Sequence, residues 1–250
     1  MMPYTLFVAD VHLQPETNHP INQAFAQFLS EEAPKAEALY ILGDLFEMWV
    51  GDDIGLEQYA SVIQQFKNLT DQGIHIYLIY GNRDFLMGKV FWQATGIQLL
   101  QEGDTTALYG NDYLVLHGDS LCTDDKGYQR MRSFFRNPIV KWLFLHLCRK
   151  RRLLIGHKMR QNSKAHSQNK PAAIMDINHQ AMCELFKKHQ TVYHMIHGHT
   201  HRPAHHTIEA QHTTLNRWVL GDWQAPEQPT AQIIKVTENG PELINYHSTK

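Results

Sequence analysis

Five short polar clusters follow apolar runs along this chain, and their order constrains the fold more than any other feature. The clusters share Asp, Asn and His, often beside glycine, and they are Asp10-Val11-His12, Gly43-Asp44, Gly81-Asn82-Arg83-Asp84, His117-Gly118-Asp119 and Gly198-His199-Thr200-His201. The first three follow near-continuous apolar runs at 4–9, 38–42 and 74–80, which are typical of parallel strands buried on both faces. We therefore expect an α/β fold with these clusters at the carboxyl ends of its strands, where open α/β sheets keep their sites.

The residue types in the clusters predict a dinuclear metal site. Imidazole together with carboxylate suits manganese, iron or zinc, whereas ligands with oxygen alone would indicate magnesium or calcium. The side chains expected to hold two ions are Asp10, His12 and His201 for the first, Asn82, His117 and His199 for the second, and Asp44 as a bridge. Two cations about 3.5–4 Å apart clamp the oxygens of a phosphate ester and lower the pKa of a shared water. The sequence therefore predicts phosphoester hydrolysis.

The five blocks resemble those of the calcineurin-like metallophosphoesterase superfamily, which run D-x-H, G-D, G-N-H-D, H-G-D and G-H-x-H in the same order. The match spans residues 10–201. The resemblance implies a double β-sandwich flanked by helices, in four layers ordered αββα, and metal-assisted hydrolysis of a phosphoester.

One position departs from the superfamily's pattern, because Arg83 stands where most members have the histidine of G-N-H-D. An Arg cannot act as a general acid near neutral pH, since its pKa lies above about 12. It can instead hold phosphate oxygens and stabilise developing charge. This suits a leaving group that needs little protonation, such as a phosphate monoester released from a pyrophosphate. The alternative is a plain salt bridge between Arg83 and Asp84.

Longer blocks at 43–47, 81–86, 117–125 and 197–203 resemble the UDP-2,3-diacylglucosamine hydrolases, and the resemblance runs nearly end to end. It implies cleavage of the pyrophosphate of UDP-2,3-diacylglucosamine to UMP and 2,3-diacylglucosamine 1-phosphate (lipid X) in lipid A biosynthesis. It also implies two Mn²⁺ ions per chain and attack of water on the α-phosphorus. Arg83 is then one of that family's own residues.

The same resemblance implies the residues that act on the substrate. The catalytic residues would be Asp44, Asn82, Arg83 and His199. The substrate-binding residues would be Asn82, Arg83, Asp125, Ser163, Ser167, Lys170 and His199. Asp125 and Ser163 would hydrogen-bond the uridine or the glucosamine, and Lys170 would pair with phosphate. Ser167 stands at a position where relatives can have Asn.

Charge is distributed very unevenly along the chain, although the net charge is only −2. Thirteen of the 23 Lys and Arg residues lie at 126–170, which contains none of the 25 Asp and Glu residues. The same segment holds an apolar stretch at 139–147, which Pro138 could start as a helix. A basic run beside bulky apolar residues favours an anionic lipid headgroup with acyl chains, or a membrane surface that supplies it. An ordinary core helix with a solvated basic end is the alternative.

By the family resemblance this segment is a helical cap over the metal site that houses the acyl chains. We expect a metallophosphoesterase core at 1–124 and 172–250 and a cap insertion at 125–171. The apolar stretch is far shorter than the roughly 20 residues that span a bilayer. Membrane contact would therefore be peripheral.

Three widely spaced cysteines argue against a disulfide framework and favour a reducing compartment. The start of the chain lacks a basic stretch before an apolar one, so we expect no signal peptide. These features predict a cytoplasmic protein. The family resemblance implies in addition that it is peripheral on the cytoplasmic side of the bacterial inner membrane and binds a lipid-linked nucleotide sugar. They indicate no obligate protein partner.

Two other functions are open from the residues alone. A nuclease or a cyclic-nucleotide phosphodiesterase would use the basic segment to follow a nucleic-acid backbone. The compact apolar helix argues against nucleic acid, because stacking surfaces need aromatic residues spaced among basic ones. A non-enzymatic scaffold would have a degraded metal site, and all seven ligand positions are intact.

Residues beside the motifs leave further choices. His197 has the same alternating register as His199 and His201, so it is an alternative metal ligand. Carboxylates that could orient the ligand imidazoles are Glu47, Asp52, Asp53, Asp84 and Asp119.

Periodicity predicts the remaining elements. Helices are expected at 20–35, 56–71 and 175–190. Strands are expected at 105–108 and 113–116, joined as a hairpin, and at 192–196, 215–220 and 232–236.

Overall fold

Two β-sheets stacked face to face lie at the centre of the computed structural model, which describes residues 2–168, 172–210, 213–225 and 229–248, with the backbone alone at 164–168 and 172–173. The strands in these ranges are β1 (Thr5–Val8), β2 (Ala38–Leu42), β3 (His75–Ile79), β4 (Gln98–Leu100), β5 (Asp104–Leu108), β6 (Asn111–Leu116), β7 (His194–His197), β8 (Ala204–Ala210), β9 (Thr213–Val219), β10 (Thr230–Thr237) and β11 (Gly240–His247). The α-helices are α1 (Pro20–Glu31), α2 (Asp52–Gln58), α3 (Ala60–Asp71), α4 (Lys89–Thr95), α5 (Lys126–Arg136), α6 (Pro138–Leu145), α7 (Arg149–Gln168) and α8 (His179–Lys188).

Parallel pairing dominates the middle of both sheets. The first sheet has the order β11-β10-β1-β2-β3-β4, in which β1 to β4 run parallel and β10 pairs antiparallel with β1. The second sheet has the order β5-β6-β7-β9-β8, in which β6, β7 and β9 run parallel. The parallel strands of each sheet therefore end at a common edge.

Alternation along the strands of the first sheet buries both of its faces. In β1, Leu6 and Val8 pack in the core cluster under α1, α3 and α4, whereas Phe7 packs between the two sheets. The neighbouring strand repeats the pattern, with Leu39 toward the helices and Tyr40 between the sheets. Two buried faces explain the near-continuous apolar runs in the sequence.

The second sheet completes the stack. Tyr113 and Val115 of β6 face the first sheet, whereas Leu114 and Leu116 pack against α8 through residues such as Phe186. Helices, sheet, sheet and helix follow one another, so the four-layer αββα fold expected from the sequence is confirmed.

The three strands predicted from apolar runs are present, each with ends within one residue of those expected. The hairpin is also present, but its turn is the two-residue Tyr109-Gly110 instead of four residues. Both turn residues have positive φ, 50° and 86°, which is the geometry that two-residue hairpins favour.

Helix ends differ more from the predictions. The first helix ends at Glu31, and a short 3₁₀ helix that contains Pro34 follows, because proline interrupts helical hydrogen bonding. The helix predicted at 56–71 is two helices that meet at Tyr59. The helix predicted from residue 175 begins at His179, where the side chain of Asn178 accepts from Ala181 N–H.

Helices α5 to α7 follow β6 and are held to the two-sheet core by basic side chains. Arg152 of α7 is buried and donates to the Val50 carbonyl at 2.7 Å and to both carboxylate oxygens of Asp53. Arg132 of α5 donates to Asp119 at 2.7 Å and to Glu102 at 2.6 Å. These contacts fix the three helices beside the edge at which the parallel strands end.

The surface of α6 is apolar and exposed. No residue of α5 or α6 is buried. Ile139, Trp142 and Leu143 of α6 are 68%, 58% and 55% exposed, so α6 is not an ordinary core helix. In the described parts of the chain, none of the helices has the length and apolar character needed to traverse a bilayer.

Candidate metal centre

Loops at one edge of the two sheets bring the five polar clusters together. Asp10 and His12 follow β1, Asp44 follows β2, and Asn82 follows β3. His117 follows β6 of the second sheet, and the loop after β7 carries His199 and His201. Because the parallel strands of each sheet end on the same side, residues up to 191 positions apart in the chain lie in one site.

The backbone of this site is held in an uncommon conformation. Six non-glycine residues in the described ranges have positive φ, and the five of them that lie in the site are Asp10, His12, Asp44, His199 and His201. Hydrogen bonds between the loops fix these conformations: Asp10 N–H donates to the Gly43 carbonyl and His12 N–H to the Asp44 carbonyl. Such residues cost about 1–3 kcal/mol each and cluster where side chains must be aimed at a functional site.

Asp10, His12 and His201 form the first group of potential ligands. One ligand atom from each lies within 4.8 Å of the others. Asp10 is fully buried, its Oδ1 lies 3.3 Å from His201 Nε2, and its Oδ2 accepts from His199 N–H at 2.7 Å. Both ring nitrogens of His12 are buried without a hydrogen-bond partner. Buried polar atoms normally have partners, so these atoms fit a bound cation.

Asn82, His117 and His199 form the second group. His117 Nε2 lies 3.1 Å from Asn82 Oδ1 and 3.2 Å from His199 Nδ1. The other ring nitrogen of His117 donates to the Leu42 carbonyl at 2.8 Å, which turns Nε2 toward the site, as a metal-ligating histidine requires.

Asp44 lies between the two groups. Its Oδ1 is 3.8 Å from His117 Nε2, and Asp10, Asp44 and His117 bring one ligand atom each within 4.8 Å of the others. The seven predicted ligands are therefore brought into one site, with Asp44 in the bridging position.

Glycines of the motifs allow these carboxylates to approach the backbone. A Cβ at Gly81 would lie 2.1 Å from Asp44 Oδ1, and a Cβ at Gly198 would lie 2.5 Å from Asp10 Oδ2. Any side chain at either position would displace a potential metal ligand.

Carboxylates dominate the surroundings of two histidines of the site. Burial alone would lower the pKa of His117, but nearby carboxylates, led by Asp44, raise it to about 9. Burial alone would also lower the pKa of His201, yet contacts with Asp10 and Asp222 raise it to about 10. Carboxylates that hold protons on buried imidazoles also attract cations, and the donor set of carboxylate, imidazole and amide fits manganese, iron or zinc.

His199 has the opposite shift. Burial, aided by the positive charge of His117, lowers the pKa of His199 to about 4. The His199 ring is therefore neutral near pH 7, which is the form that binds a metal ion.

Arg83 lies at the rim of the site with its guanidinium on Glu47. Nη1 donates to Glu47 Oε1 at 2.6 Å, and Nε lies 3.4 Å from Asp44 Oδ2. The alternative of an Arg83–Asp84 salt bridge is wrong, because Asp84 is fully buried and accepts from the N–H groups of Leu45 and Gly81.

Most of the carboxylates that were expected to orient the ligand imidazoles have other hydrogen-bond partners. Asp52 accepts from backbone N–H groups at the start of α4, and Asp53 pairs with Arg152. Asp119 accepts from Tyr128 and Arg132 of α5. Glu47 lies 3.7 Å from His12 Nδ1, and Asp119 also acts on a ligand imidazole, because its charge raises the pKa of His117.

His197 has both ring nitrogens engaged and does not face the metal site. Its Nε2 accepts from Arg217 at 2.9 Å, and its Nδ1 donates to the Gly198 carbonyl at 2.8 Å. Burial, with the charge of Arg217, lowers the pKa of His197 to about 3. The alternative of His197 as a metal ligand is therefore wrong.

Two of the predicted substrate-binding residues of the cap are described in full, Asp125 directly before α5 and Ser163 within α7. Asp125 caps α5 by accepting from Tyr128 N–H at 3.0 Å, and the Tyr128 ring lies 5.9 Å from that of His199. Ser163 lies one turn beyond Arg160, which pairs with Glu47. The side chain of Ser167 and the whole of Lys170 lie outside the described residues.

Sequence reasoning missed Asp222, whose Oδ2 lies 3.3 Å from His201 Nδ1. It also missed Arg217 and Asp176, which bond each other beneath the loop after β7. None of the three belongs to a motif, and the fold brings them together from β9, from the loop after β9 and from the segment before α8.

Comparison with known proteins gives consistent matches. A family model described as calcineurin-like phosphoesterase matches residues 4–203. UDP-2,3-diacylglucosamine hydrolases from Yersinia pestis (bv. Antiqua, strain Angola) and Yersinia pseudotuberculosis (serotype O:3, strain YPIII) are each 44% identical to this chain over 242 residues, which cover 97% of this chain and 98% of each relative. Among solved structures, a novel archaeal phosphodiesterase aligns over 98% of this chain and 99% of its own, with 15% identity and a TM-score of 0.48.

The order of the motifs, the position of their residues at the strand ends and the 44% identity over nearly the full length all indicate the same family. This chain therefore belongs to the calcineurin-like phosphoesterase family and, within it, to the UDP-2,3-diacylglucosamine hydrolases.

Proposed function

We propose that this chain hydrolyses the pyrophosphate bond of UDP-2,3-diacylglucosamine to UMP and 2,3-diacylglucosamine 1-phosphate (lipid X), a step of lipid A biosynthesis. The observation that carries the proposal is the 44% identity to hydrolases of this name over nearly the whole of both chains. The site supports the same chemistry, since its clustered carboxylates and imidazoles suit hydrolysis of a phosphoric anhydride.

The proposed cofactor is two Mn²⁺ ions per chain. Asp10, His12 and His201 would hold one ion, Asn82, His117 and His199 the other, and Asp44 both. When bound, such ions supply positive charge to the phosphate oxygens and lower the pKa of a water molecule. The donor set suits either manganese or zinc. The choice of manganese is therefore part of the proposal.

Arg83 and Asn82 would bind the phosphate that is attacked. Arg83 is held by Glu47 and Asp44, and its side chain is 29% exposed, so its guanidinium is oriented before the substrate arrives. Asn82 points its Oδ1 toward His117, and its amide nitrogen can donate to a phosphate oxygen. Preorganised donors of this kind stabilise charge that develops in the transition state.

His199 would contribute a neutral imidazole in contact with the phosphate. Its backbone N–H is fixed by Asp10, and its ring lies between those of His117 and Tyr128. Because Arg83 does not release a proton near pH 7, the proposed reaction expels a phosphate monoester that needs little protonation, with water attacking the α-phosphorus.

The proposed cap is residues 125–171, with the core at 1–124 and 172–250. Basic side chains of α5 and α7 reach the rim of the site, where Arg160 meets Glu47 and Arg136 donates to the Gly81 carbonyl. Asp125, Ser163, Ser167 and Lys170 would bind the sugar, uridine and phosphate. The exposed apolar residues of α6 would contact the acyl chains.

The same surface would place the protein on the cytoplasmic side of the inner membrane. Exposed Trp142 and Leu143 adjoin the basic start of α7, and this combination favours an anionic bilayer. Sedimentation with phosphatidylglycerol vesicles tests this proposal: binding that weakens as salt rises supports it, and absence of binding at low salt overturns it.

The test of the proposed reaction is incubation of the purified protein with UDP-2,3-diacylglucosamine, Mn²⁺ and detergent in ¹⁸O-labelled water, followed by mass spectrometry. We expect labelled UMP and unlabelled lipid X. Label in lipid X would contradict attack on the α-phosphorus. No turnover alongside cleavage of bis(p-nitrophenyl) phosphate would favour a nuclease or another phosphodiesterase.

A further inference from the structure

A buried chain of polar contacts lies beneath the loop that carries His199 and His201. Arg217 of β9 is 8% exposed. Its Nε donates to His197 Nε2 at 2.9 Å, and its Nη2 donates to Asp176 Oδ1 at 2.5 Å. Asp176 lies between the 3₁₀ helix at Ala172–Met175 and α8, so it ties Arg217 to the segment that precedes α8.

His197 transmits these contacts to two loops of the metal centre. Its Nδ1 donates to the Gly198 carbonyl at 2.8 Å, and the same carbonyl accepts from Thr200 N–H at 2.8 Å. The ring also packs against the turn after His117, because a Cβ at Gly118 would lie 3.0 Å from His197 Nδ1. His197 therefore supports both the loop after β6 and the loop after β7.

We propose that Arg217 is a positioning residue, which acts through His197 to hold the loop after β7 in the conformation that aims His199 and His201 at the metal ions. This rests on the proposed metal centre. Arg217 has no contact with the seven proposed ligands among its hydrogen bonds and ion pairs in the described part of the chain.

The need for such support follows from the backbone. His199 and His201 have φ of 66° and 53°, and this conformation persists only where surrounding contacts determine it. A guanidinium suits the task because its planar fork bonds two partners at once. Asp176 compensates the charge of Arg217, which would otherwise be costly to bury.

The test is the affinity for metal of Arg217→Met, measured by equilibrium dialysis with Mn²⁺ and by the visible absorption of bound Co²⁺. Loss of a group that orients a metal ligand typically weakens binding about 10–100-fold. We expect a loss in that range for at least one ion and an altered Co²⁺ spectrum. At saturating metal we expect the KM for substrate to be unchanged.

Arg152→Met is the matched control. Like Arg217, Arg152 is a buried arginine that pairs with an aspartate. It differs in that it bonds a backbone carbonyl and ties α7 to the core away from the metal ligands. We expect this variant to lose stability while it binds metal as the unsubstituted chain does. Equal losses of metal affinity in both variants would overturn the inference, because they would indicate a general effect of stability.

Two further variants keep the inference falsifiable. Arg217→Lys keeps the positive charge beside Asp176 but cannot bond both partners at once, so it should fold and still bind metal more weakly. If Arg217 acts through His197, the double variant Arg217→Met/His197→Asn should bind metal no more weakly than the worse single variant. Additive losses, or wild-type affinity in Arg217→Lys and Arg217→Met, would overturn the proposal. If the unsubstituted chain binds no metal, the proposed centre itself fails.

Discussion

At the scale of single residues, the ion pair between Arg83 and Glu47 orients the Arg83 side chain at the rim of the site. Glu47 accepts from Arg83 at 2.6 Å and also pairs with Arg160 of α7. Removing Arg83 therefore leaves Glu47 with a cationic partner, and no predicted metal ligand is lost. The role of Arg83 in turnover can be separated from the integrity of the metal centre.

We predict that Arg83→Ala lowers kcat by roughly 10²–10³, as expected for the loss of a preorganised contact to the transition state. Metal content, measured by plasma mass spectrometry, should stay as in the unsubstituted chain. The kcat of Arg83→Lys should lie between those of Arg83→Ala and the unsubstituted chain, because lysine keeps the charge but not the planar fork. Loss of metal in Arg83→Ala would refute the role given to this residue.

Asp44 lies between the two groups of potential ligands. We predict that Asp44→Ala abolishes turnover, because it removes the carboxylate between the two groups. UMP release measures the effect. Asp71→Ala, at an exposed carboxylate of α3, is the control and should be fully active. Turnover by Asp44→Ala within about tenfold of the unsubstituted chain would exclude a bridging role.

Motifs predicted the candidate ligands but not the residues that support them. The seven candidate ligands lie in short clusters whose residue types and order are visible in the sequence. Arg217 lies in β9 and Asp222 in the loop after it, and nothing local distinguishes them from surface residues. Their roles depend on tertiary proximity, 3.3 Å to His201 and 2.9 Å to His197, which periodicity does not encode.

At the scale of elements, the burial of a strand determines whether the sequence could predict it. Central strands β1, β2 and β3 have long apolar runs because both faces are buried. The sequence did not predict the edge strands β4, β8 and β11, since they contain only half-buried and exposed residues and lack such runs. Such edge strands are defined by their pairing partner more than by their own sequence.

The hairpin turn between β5 and β6 gives a prediction about stability. Gly110 has φ of 86°, and an added Cβ would have no other atom within 4 Å, so Gly110→Ala meets no clash and adds only backbone strain. We expect this variant to lose about 1 kcal/mol in the free energy of unfolding by urea.

Gly127→Ala is the comparison for Gly110→Ala. Gly127 lies in the first turn of α5 and its nearest neighbour would be 3.6 Å from an added Cβ. Alanine is favoured at such a position, so this variant should be neutral or more stable. Equal changes in the two variants would contradict the assignment of the positive φ at Gly110.

The exposed face of α6 gives a prediction about substrate selection. We expect the double variant Trp142→Ala/Leu143→Ala to raise the KM for a long-chain substrate, since it removes apolar contact with acyl chains. Hydrolysis of soluble bis(p-nitrophenyl) phosphate should be unaffected. Val90→Ala, at an equally exposed apolar residue of α4, is the control. Equal effects on both substrates would exclude an acyl-chain site on α6.

Across the molecule as a whole, we assign two roles to the basic charge that the sequence concentrates at 126–170. Part of the basic charge at 126–170 binds the acidic core, through Arg132, Arg152 and Arg160. Arg136 and Lys141 also bond carbonyl groups of the core, and we propose that the exposed cations of the segment meet an anionic partner. Composition predicted an anionic partner for the segment as a whole, but it could not predict that several of its cations dock the three helices beside the metal centre.

The proposed catalytic roles all rest on a proposed dinuclear metal centre, which the strand ends of the two sheets would form jointly. Anomalous diffraction from crystals grown with Mn²⁺ is the sharpest test of this arrangement. We predict two peaks per chain, about 3.5–4 Å apart as in other two-metal sites, one among Asp10, His12 and His201 and the other among Asn82, His117 and His199, with Asp44 contacting both. A single peak, or peaks away from these side chains, would contradict a shared dinuclear centre.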